Sequence, residues 1–372
     1  MSYQDDFVAA DGIYLLNHSV GRPLANTADV WNENFLYRWQ ASGEQVWPEW
    51  LAEIDKFRSA LAALLGGQQG GFCPQVNLSS ALTKVIPALP IAQEKRTILY
   101  TEHDFPSMGY VLQQAARSGF KLKQISAQQD CLDLGHWESA LDDSVGLVLI
   151  SHVHSNYGRQ VPVAEICRLA RSKGAISVVD VAQSIGVVPI DLDQWGADVV
   201  LGSCVKWLCG GPGAGFLWMQ PELLLAATPT DVGWFSHEDP FEFDINQFRY
   251  ASDALRFLGG TPSVQPYVIA ANSIQYFVEV GVEKIRAHNL ALNNQLIDVI
   301  PEEALVTPSE ADKRGGTLVL KLEADSQANF CDKLRQAKVA FDERPTGIRI
   351  SPHIYNTAQE MDQVVQALRS SL

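Results

Sequence analysis

The chain has 372 residues, of which 47% are hydrophobic and 19% charged. This composition is typical of a folded protein of about two domains and excludes a disordered or fibrous chain. The 43 acidic residues outnumber the 28 basic ones and give a net charge of −15. Nucleic-acid binding needs basic surfaces that displace phosphate counterions, so we expect no nucleic-acid partner.

Membrane and secretory segments are not expected either. No run approaches the roughly 20 consecutive apolar residues of a membrane-spanning helix, and the acidic beginning MSYQDDF lacks the basic start of a secretory signal. The six cysteines are scattered, without a C-x-x-C pair. Such thiols are typical of a reducing compartment, so the sequence predicts a cytoplasmic protein with no membrane partner.

Helical and strand patterns alternate along the middle of the chain. Apolar residues at helical spacing predict a helix over 48–65, which Pro48 begins and Gly66 ends. Short β-rich runs then predict strands over 97–100, 121–125, 145–150, 175–179, 198–201 and 216–219. Several of these runs are apolar without alternation, as in strands covered on both faces. A helical stretch over 164–173 lies between two of them, which indicates a βαβ unit and a mainly parallel sheet.

The pattern changes after about residue 262. A long helical stretch is predicted from 264 towards 290, followed by strands over 317–322, 339–341 and 348–350 among helices. This arrangement indicates a smaller α+β domain. The sequence therefore predicts an α/β protein with a large domain over 46–258 and a small domain formed by 1–45 together with 259–372.

Asp180 and Lys206 carry the most informative chemistry. Asp180 follows a predicted strand at its carboxyl end, where open α/β sheets collect functional groups. Lys206 follows the next strand, between Val205 and Trp207. Apolar surroundings lower the pKa of an ammonium group, and the neutral amine is the nucleophile that forms a Schiff base. Pyridoxal phosphate (PLP) needs such a pair, because the acid keeps the pyridine nitrogen protonated and the lysine holds the aldehyde as an imine.

The glycine loop at 210–215 admits a second interpretation, the dinucleotide site of a nicotinamide-dependent dehydrogenase. A dinucleotide fingerprint follows a strand and begins a helix. Here the glycines come before the strand over 216–219, so the order is reversed. We interpret the loop as a tight turn that returns the chain to the sheet beside the lysine.

Two further features fit a phosphorylated cofactor and an amino-acid substrate. Ser79 and Ser80 stand where a helix is predicted to begin, and helix N-termini bind phosphate through free N–H groups. Taken alone, these residues are more often ordinary helix caps. Arg349 lies among apolar neighbours in a short predicted strand, where a guanidinium group binds a planar carboxylate. A structural ion pair is the alternative for Arg349.

Metal and serine-hydrolase chemistry have weaker support. His152 and His154 are spaced to share one face of a strand. No third ligand with metal spacing lies nearby in the sequence, so no metal site is predicted. A Ser-His-Asp hydrolase is not indicated, because the G-x-S-x-G motif is missing.

Taken together, these residues resemble the class V aminotransferase family of PLP-dependent enzymes, which includes kynureninases, cysteine desulfurases and isopenicillin N epimerase-like proteins. The segments that carry the resemblance are VVDVAQSIGVVPIDL, ADVVLGSCVKWLCGGPGAGF, RFLGGTP and GIRISPHIYNT. The resemblance spans nearly the whole chain. It implies fold type I of the PLP enzymes, with a seven-stranded, mainly parallel sheet in the large domain, and a homodimer with shared active sites.

The family pattern implies roles for individual residues. Lys206 would bind the cofactor and move the α-proton of the substrate, and Arg349 would bind the substrate α-carboxylate. Phe105 resembles an aromatic residue that stacks on the ring, and Thr261 resembles a threonine that reaches the neighbouring subunit's phosphate. The cofactor-binding residues implied are Ser79, Ser80, Phe105, Asn156, Asp180, Gln183, Ser203, Lys206 and Thr261.

Within the family, the chain is most similar to kynureninases. Residues 16–21 are similar to a segment near the kynureninase substrate, and Trp234 belongs to a segment similar to one that lines the kynureninase substrate pocket. The substrate-binding residues implied are Arg349, Trp234, His18 and Ser19. The chain departs from the kynureninase pattern at Gln183, where kynureninases have His, and at Val205, where they have Tyr.

The sequence thus predicts a PLP-dependent enzyme that acts on an L-amino acid, with kynureninase-like cleavage of a Cβ–Cγ bond as the first hypothesis. Transamination and epimerisation share the same early steps and are the alternatives. Cysteine desulfurase activity is disfavoured, because the only late cysteine, Cys331, lies in a helical pattern rather than on a loop before Arg349. A catalytically silent member of the fold is disfavoured, because Lys206, Asp180 and Arg349 are all present.

Overall fold

The computed structural model describes residues 3–41 and 45–372. Its strands are β1 (Ile13–Tyr14), β2 (Phe72–Gln75), β3 (Thr97–Thr101), β4 (Lys121–Ile125), β5 (Val145–Ser151), β6 (Ile176–Asp180), β7 (Val199–Ser203), β8 (Gly215–Met219), β9 (Leu318–Leu320), β10 (Val339–Ala340), β11 (Asp342–Arg344) and β12 (Gly347–Ile350). Its helices are α1 (Thr27–Trp31), α2 (Tyr37–Gln40), α3 (Trp47–Leu65), α4 (Leu78–Ala88), α5 (Pro106–Arg117), α6 (Leu134–Ala140), α7 (Val163–Ser172), α8 (Leu192–Trp195), α9 (Pro221–Ala226), α10 (Gln265–Val280), α11 (Val282–Ile297), α12 (Ala324–Gln336) and α13 (Ala358–Arg369). None of the helices in these two ranges has the length and apolarity needed to cross a membrane.

The central sheet has seven strands in the order β2-β8-β7-β6-β5-β3-β4. Strand β8 runs antiparallel to both of its neighbours, and the other strand pairs are parallel. The predicted α/β class with a seven-stranded, mainly parallel sheet is therefore confirmed. Strand β2 was not among the predicted strands, because Pro74 lies inside it and proline is rare within strands.

Both faces of the central sheet are covered, because neighbouring strand residues point to opposite sides. On one face, Leu99 and Val148 pack with helices α3, α7 and α10 in one hydrophobic core. On the other face, Ile98 and Leu147 pack with α4, α5 and α9 in a second core. This two-sided burial explains why the strands are apolar without alternation.

A third hydrophobic core lies in the C-terminal part of the chain. Strands β11, β12 and β9 form an antiparallel sheet, and β1 pairs with β10. They enclose apolar side chains of α11, α12 and α13, including Leu292, Phe330 and Leu368. Helix α10 packs instead against α3. The limits given above for the two domains stay a prediction.

The stretch predicted to be helical from 264 towards 290 is helical but not continuous. The structure has two helices there, α10 and α11, which meet at Gly281. Gly281 has a φ of 86°, a left-handed conformation that glycine adopts without the strain of a side chain. The apolar pattern continues across this break, so periodicity alone did not reveal it.

The glycine loop forms the connection between β7 and β8. Gly211 and Gly213 have φ angles of 73° and 91°, which only glycine adopts readily. The loop leads directly into β8, which returns antiparallel to β7 with Ser203 opposite Gly215. This confirms the predicted tight turn beside Lys206.

Candidate active site

Lys206 lies in the turn that follows the carboxyl end of β7. Its Nζ lies 5.6 Å from the centroid of the Phe105 ring. Burial lowers the pKa of Lys206, the Asp180 carboxylate partly opposes this, and Arg349 lowers it further. A lowered pKa increases the fraction of neutral amine, which is the nucleophilic form of lysine.

Asp180 is the last residue of β6, the strand beside β7, and lies opposite Leu201 in that pair. Its side chain is buried, and its Oδ1 accepts a hydrogen bond of 2.8 Å from the N–H of Ala182. Burial raises the pKa of Asp180, while the Ala182 N–H and Lys206 lower it. The sheet therefore brings an acid and a lysine to the same edge, as parallel strand ends do.

A cavity of about 170 Å³, here called the inner cavity, opens between these residues. Phe105, a residue that is 47% exposed, lines this cavity just before α5. The lining residues that the sequence predicted are Ser79, Phe105, Asp180, Gln183, Ser203 and Lys206. Sequence reasoning missed Ser107, Met108 and Ser151, which also line this cavity. Ser107 and Met108 lie in the first turn of α5, directly after Phe105. A helix predicted to begin at Pro106 would have indicated that both residues lie near Phe105.

The two predicted phosphate ligands, Ser79 and Ser80, have different surroundings at the N-terminus of α4. Asn77 caps this helix, with its side-chain oxygen accepting a hydrogen bond of 2.9 Å from the Ser80 N–H. Ser79 lines the inner cavity, but Ser80 lines neither this cavity nor the larger one beside it. The Ser80 N–H therefore takes part in helix capping. Ser79 is the serine of this pair that lines the inner cavity.

A second cavity of about 590 Å³, here called the outer cavity, shares Lys206 and Phe105 with the inner one. The predicted residues that line it are His18, Ser19, Phe105, Asn156, Gln183, Lys206 and Arg349. Arg344 and Thr346 line it too and were not predicted. Lys206 thus lies where the two cavities meet.

Arg349 is both a cavity-lining residue and a member of an ion pair. It lies on β12, directly opposite Asp342 of β11. Its Nε donates a hydrogen bond of 2.8 Å to Asp342 Oδ2, and its Nη1 donates one of 3.0 Å to the Ser155 carbonyl oxygen. Arg349 is buried and is one of the residues that line the outer cavity.

Gln183 is hydrogen-bonded both to His18 in the N-terminal part of the chain and to Trp207 in the turn that contains Lys206. Its Nε2 donates a hydrogen bond of 3.1 Å to the His18 carbonyl oxygen, and its Oε1 accepts one of 3.4 Å from the indole of Trp207. Close by, Gly21 approaches the backbone so tightly that a Cβ there would lie 2.1 Å from the carbonyl oxygen of Lys206. These contacts place His18 and Ser19 at the outer cavity.

Trp234 and Thr261 lie together and away from the two cavities. The indole Nε1 of Trp234 donates a hydrogen bond of 3.2 Å to the Thr261 hydroxyl. Neither residue lines the inner or the outer cavity. Within one chain the structure does not bring them to Lys206, so the roles predicted for both require a second subunit.

Asp104 is a buried acid beside the site that the sequence analysis missed. Its side chain is 2% exposed, and its Oδ2 accepts a hydrogen bond of 2.7 Å from the Thr101 N–H. Burial raises the pKa of Asp104 to about 6, the Ser151 hydroxyl opposes this and Asp180 adds to it. The only sequence signal is an acid immediately before Phe105.

The remaining histidines and cysteines lie outside both cavities. His152 packs against Trp195 with ring centroids 4.7 Å apart, and His154 Nδ1 lies 3.5 Å from Cys131 Sγ. Among residues 3–41 and 45–372, no three His, Cys, Asp or Glu side chains are grouped so that they could hold a metal ion. All six cysteines are buried and free, and none of them lines either cavity. Cys331 lies on α12 in the third core.

Comparison with known proteins agrees with this arrangement. The model of the aminotransferase class V family matches residues 75–364 of the chain. The chain therefore belongs to the class V aminotransferase family, and the expectation that it is a PLP-dependent enzyme of this family is confirmed.

Curated relatives include proteins with several names. The chain is 28% identical to an uncharacterized aminotransferase, YcbU, of Bacillus subtilis, over 94% of this chain and 91% of the relative. It is 27% identical to a kynureninase of Pseudomonas fluorescens, over 84% of this chain and 78% of the relative. It is 29% identical to an isopenicillin N epimerase of Streptomyces clavuligerus, over 84% and 82%.

Solved structures share the fold. A cysteine desulfurase from Thermococcus onnurineus superposes with a TM-score of 0.84 at 21% identity, covering 97% of this chain and 94% of the other. The cystine C-S lyase C-DES superposes with a TM-score of 0.85 at 20% identity, covering 96% and 97%. These likenesses confirm fold type I of the PLP-dependent enzymes.

Proposed function

We propose that the chain holds PLP in the inner cavity through Lys206 and cleaves the side chain of an L-amino acid bound in the outer cavity. The observation that carries this proposal is the position of Lys206 where the two cavities meet. A lysine at that point reaches both a cofactor on one side and a substrate on the other.

The inner cavity has the donor set that PLP requires. Lys206 supplies an amine for the aldehyde, and Asp180 supplies a buried carboxylate for the pyridine nitrogen. The Phe105 ring covers one face of the cavity, and Ser79 and Ser203 line it with hydroxyl groups. When bound, PLP supplies an electron sink that makes bonds to the substrate α-carbon easier to break.

The outer cavity supplies the substrate contacts. Arg349 binds the α-carboxylate, because its buried guanidinium group reaches this cavity. Lys206 takes the α-proton, since burial holds its pKa below the ordinary value for lysine. Fixing the carboxylate from β12 and the base from the turn after β7 confines the α-carbon between them.

Side-chain cleavage of the kynureninase type is the reaction we favour. Kynureninases are among the curated relatives, at 27% identity for the Pseudomonas fluorescens enzyme and 30% for one from Deinococcus radiodurans. The segment with His18 and Ser19, which carries part of that resemblance, lines the outer cavity. The cavity volume of about 590 Å³ lies within the range of small-molecule sites, roughly 300–1,000 Å³.

Transamination is the second candidate, and a specific observation favours it. Gln183 and Val205 replace the His and Tyr of kynureninases, and neither side chain carries a titratable proton. Both polar atoms of the Gln183 amide are already bonded to His18 and Trp207. A reaction that needs Lys206 as its only proton carrier fits these two replacements better than a hydrolysis with extra acid–base steps.

We further propose that the enzyme is a homodimer whose subunits share their active sites. Trp234 and Thr261 are hydrogen-bonded to each other at a distance from the cavities of their own chain. In a dimer, Thr261 would reach the phosphate group held by the partner subunit. Cytoplasmic location is part of the same proposal and is supported by six cysteines that are all free thiols.

Turnover assays of the PLP-loaded protein test the reaction. L-kynurenine, L-cysteine and a panel of L-amino acids with 2-oxo acids are compared, with Lys206→Ala as the control that removes the proposed base. Anthranilate formation that depends on Lys206 supports cleavage. Turnover that depends on the 2-oxo acid contradicts it and supports transamination. Sulfide release contradicts both.

A further inference from the structure

Asp342 is fixed beside Arg349 by the register of a β-hairpin. Strands β11 and β12 pair antiparallel, with Asp342 opposite Arg349 and Arg344 opposite Gly347. On its other side β12 pairs with β9, where Val319 lies opposite Arg349. A shift of one residue would move Asp342 to the opposite face of the sheet, so this register keeps its carboxylate at the guanidinium group.

The hydrogen bonds of Arg349 leave part of the guanidinium group free. An arginine carries five N–H groups, one on Nε and two on each Nη. The Nε and one Nη2 N–H donate to Asp342 Oδ2, and one Nη1 N–H donates to the Ser155 carbonyl oxygen. These three hydrogen bonds therefore leave one N–H group on each Nη nitrogen without a protein partner. A guanidinium group binds a carboxylate through two N–H groups, which is the number that remains here.

The charges around Asp342 explain why it stays ionised. Partial burial raises the pKa of Asp342, but Arg349 and then Arg344 outweigh it and hold the pKa below its ordinary value. Arg344 Nε donates a hydrogen bond of 3.0 Å to the same Oδ2, and His18 Nε2 lies 3.5 Å from it. Burial lowers the pKa of His18 to about 3, so this imidazole is neutral at physiological pH.

We infer that Asp342 is a positioning residue that holds the Arg349 guanidinium group with two free N–H groups directed to the substrate carboxylate. This inference rests on the proposed function, in which an amino acid occupies the outer cavity. Asp342 uses one edge of the guanidinium group and leaves the other edge for the substrate. Its removal frees the arginine side chain to rotate, and the carboxylate then loses its aligned partner.

Binding to the PLP-loaded enzyme tests the inference. Dissociation constants are measured from the change in visible absorption for two amino acids and the matching amines without a carboxylate, namely L-kynurenine with kynuramine and L-alanine with ethylamine. The wild type should prefer each amino acid over its amine. Asp342→Ala should reduce this preference by about tenfold with the affinity for the amine unchanged, which is the size of a lost charge-assisted hydrogen bond. Asp342→Asn should restore most of the preference, because the amide oxygen accepts the same N–H groups.

Glu343→Gln is the matched control. It removes a negative charge from the neighbouring position of β11, where the side chain accepts a hydrogen bond from Gln327 away from the cavity. This variant should keep the wild-type preference. An Asp342→Ala enzyme that keeps the preference, or that loses affinity for amino acid and amine alike, contradicts the inference. An Asp342→Asn enzyme whose preference for the amino acid is as low as that of Asp342→Ala also contradicts the inference. So does a wild type that has no preference for the amino acid over its amine.

A second measurement does not depend on the cofactor. Phenylglyoxal modifies accessible guanidinium groups, and peptide mass spectrometry measures its rate at Arg349. The rate should rise at least about threefold in Asp342→Ala, because the guanidinium group loses its partner, and stay unchanged in Glu343→Gln. An unchanged rate at Arg349 contradicts the inference. A failed PLP site would instead remove the visible absorption from the wild type and every variant, so the two failures are distinguishable.

Discussion

The Trp234 indole donates a hydrogen bond to the Thr261 hydroxyl on a surface that also exposes large apolar side chains. Phe243 is 72% exposed and stacks on Trp234 with ring centroids 6.0 Å apart, and Ile245 is 97% exposed. Contiguous exposed apolar side chains are typical of interaction surfaces. In the proposed dimer this surface is covered by the second subunit.

Replacing Ile245 tests this arrangement. Ile245→Asp should convert the protein from twice the 40.9 kDa chain mass to a single chain mass, because a charge at a buried apolar contact is costly. Light scattering at micromolar concentration measures the change. Leu225→Asp, at a position that is 74% exposed outside this surface, should leave the mass unchanged. A wild-type protein that is fully active as a single chain would refute the shared site.

Ser79 and Ser80 provide a matched pair for cofactor binding. Ser79 lines the inner cavity, whereas Ser80 does not and offers its N–H to the capping side chain of Asn77. Ser79→Ala should raise the dissociation constant for PLP by about tenfold, the effect of one lost hydrogen bond to a charged group. Ser80→Ala should change it less than about twofold, because its N–H group remains. Titration of the apoprotein with PLP measures both constants. Equal effects of the two substitutions would contradict the assignment of Ser79 alone to the cofactor.

Asp104 predicts a pH-dependent stability. Its folded-state pKa of about 6 lies above the ordinary value of 3.8, so between these values the folded protein binds more protons than the unfolded chain. Stability is therefore lost as the pH rises through this window. Asp104→Asn removes the titration, and its stability relative to wild type should increase between pH 4 and pH 7 by about 2 kcal/mol.

Urea unfolding at several pH values measures this difference. His154 Nε2 lies 3.9 Å from Asp104 Oδ1, and Asp180 also acts on Asp104; both residues stay in place in the variant, so its comparison with wild type removes only the Asp104 carboxyl group. Asp143→Asn, which removes an exposed carboxyl group, serves as the control for the loss of one surface charge. A difference between Asp104→Asn and wild type that stays constant with pH would contradict a raised pKa.

Much of the large domain could be predicted from the sequence, because most of its strands are buried on both faces and form short apolar runs. The positions of Asp180 and Lys206 followed from those strands, since each side chain comes at or just after a strand end. Strand β2 was missed because Pro74 and Gln75 hide its pattern. The break at Gly281 was missed because an isolated glycine inside an apolar helical pattern is ambiguous.

Contacts between distant parts of the chain could not be predicted in the same way. The pair Asp342 and Arg349 depends on the register of a hairpin, and the burial of Asp104 depends on how β3 packs beside β5. The contact of Trp234 with Thr261 joins residues whose positions depend on two separate loops. None of these relationships leaves a periodic signal in the sequence.

The visible absorption spectrum of the purified protein, with and without borohydride, tests the assignment of PLP to Lys206 most directly. The wild type should show a yellow imine band that borohydride abolishes, and peptide mass spectrometry should then find the reduced cofactor on Lys206. Lys206→Ala should lack this lysine adduct. A wild-type protein that stays colourless after incubation with PLP, or a reduced adduct on a different lysine, would contradict the assignment.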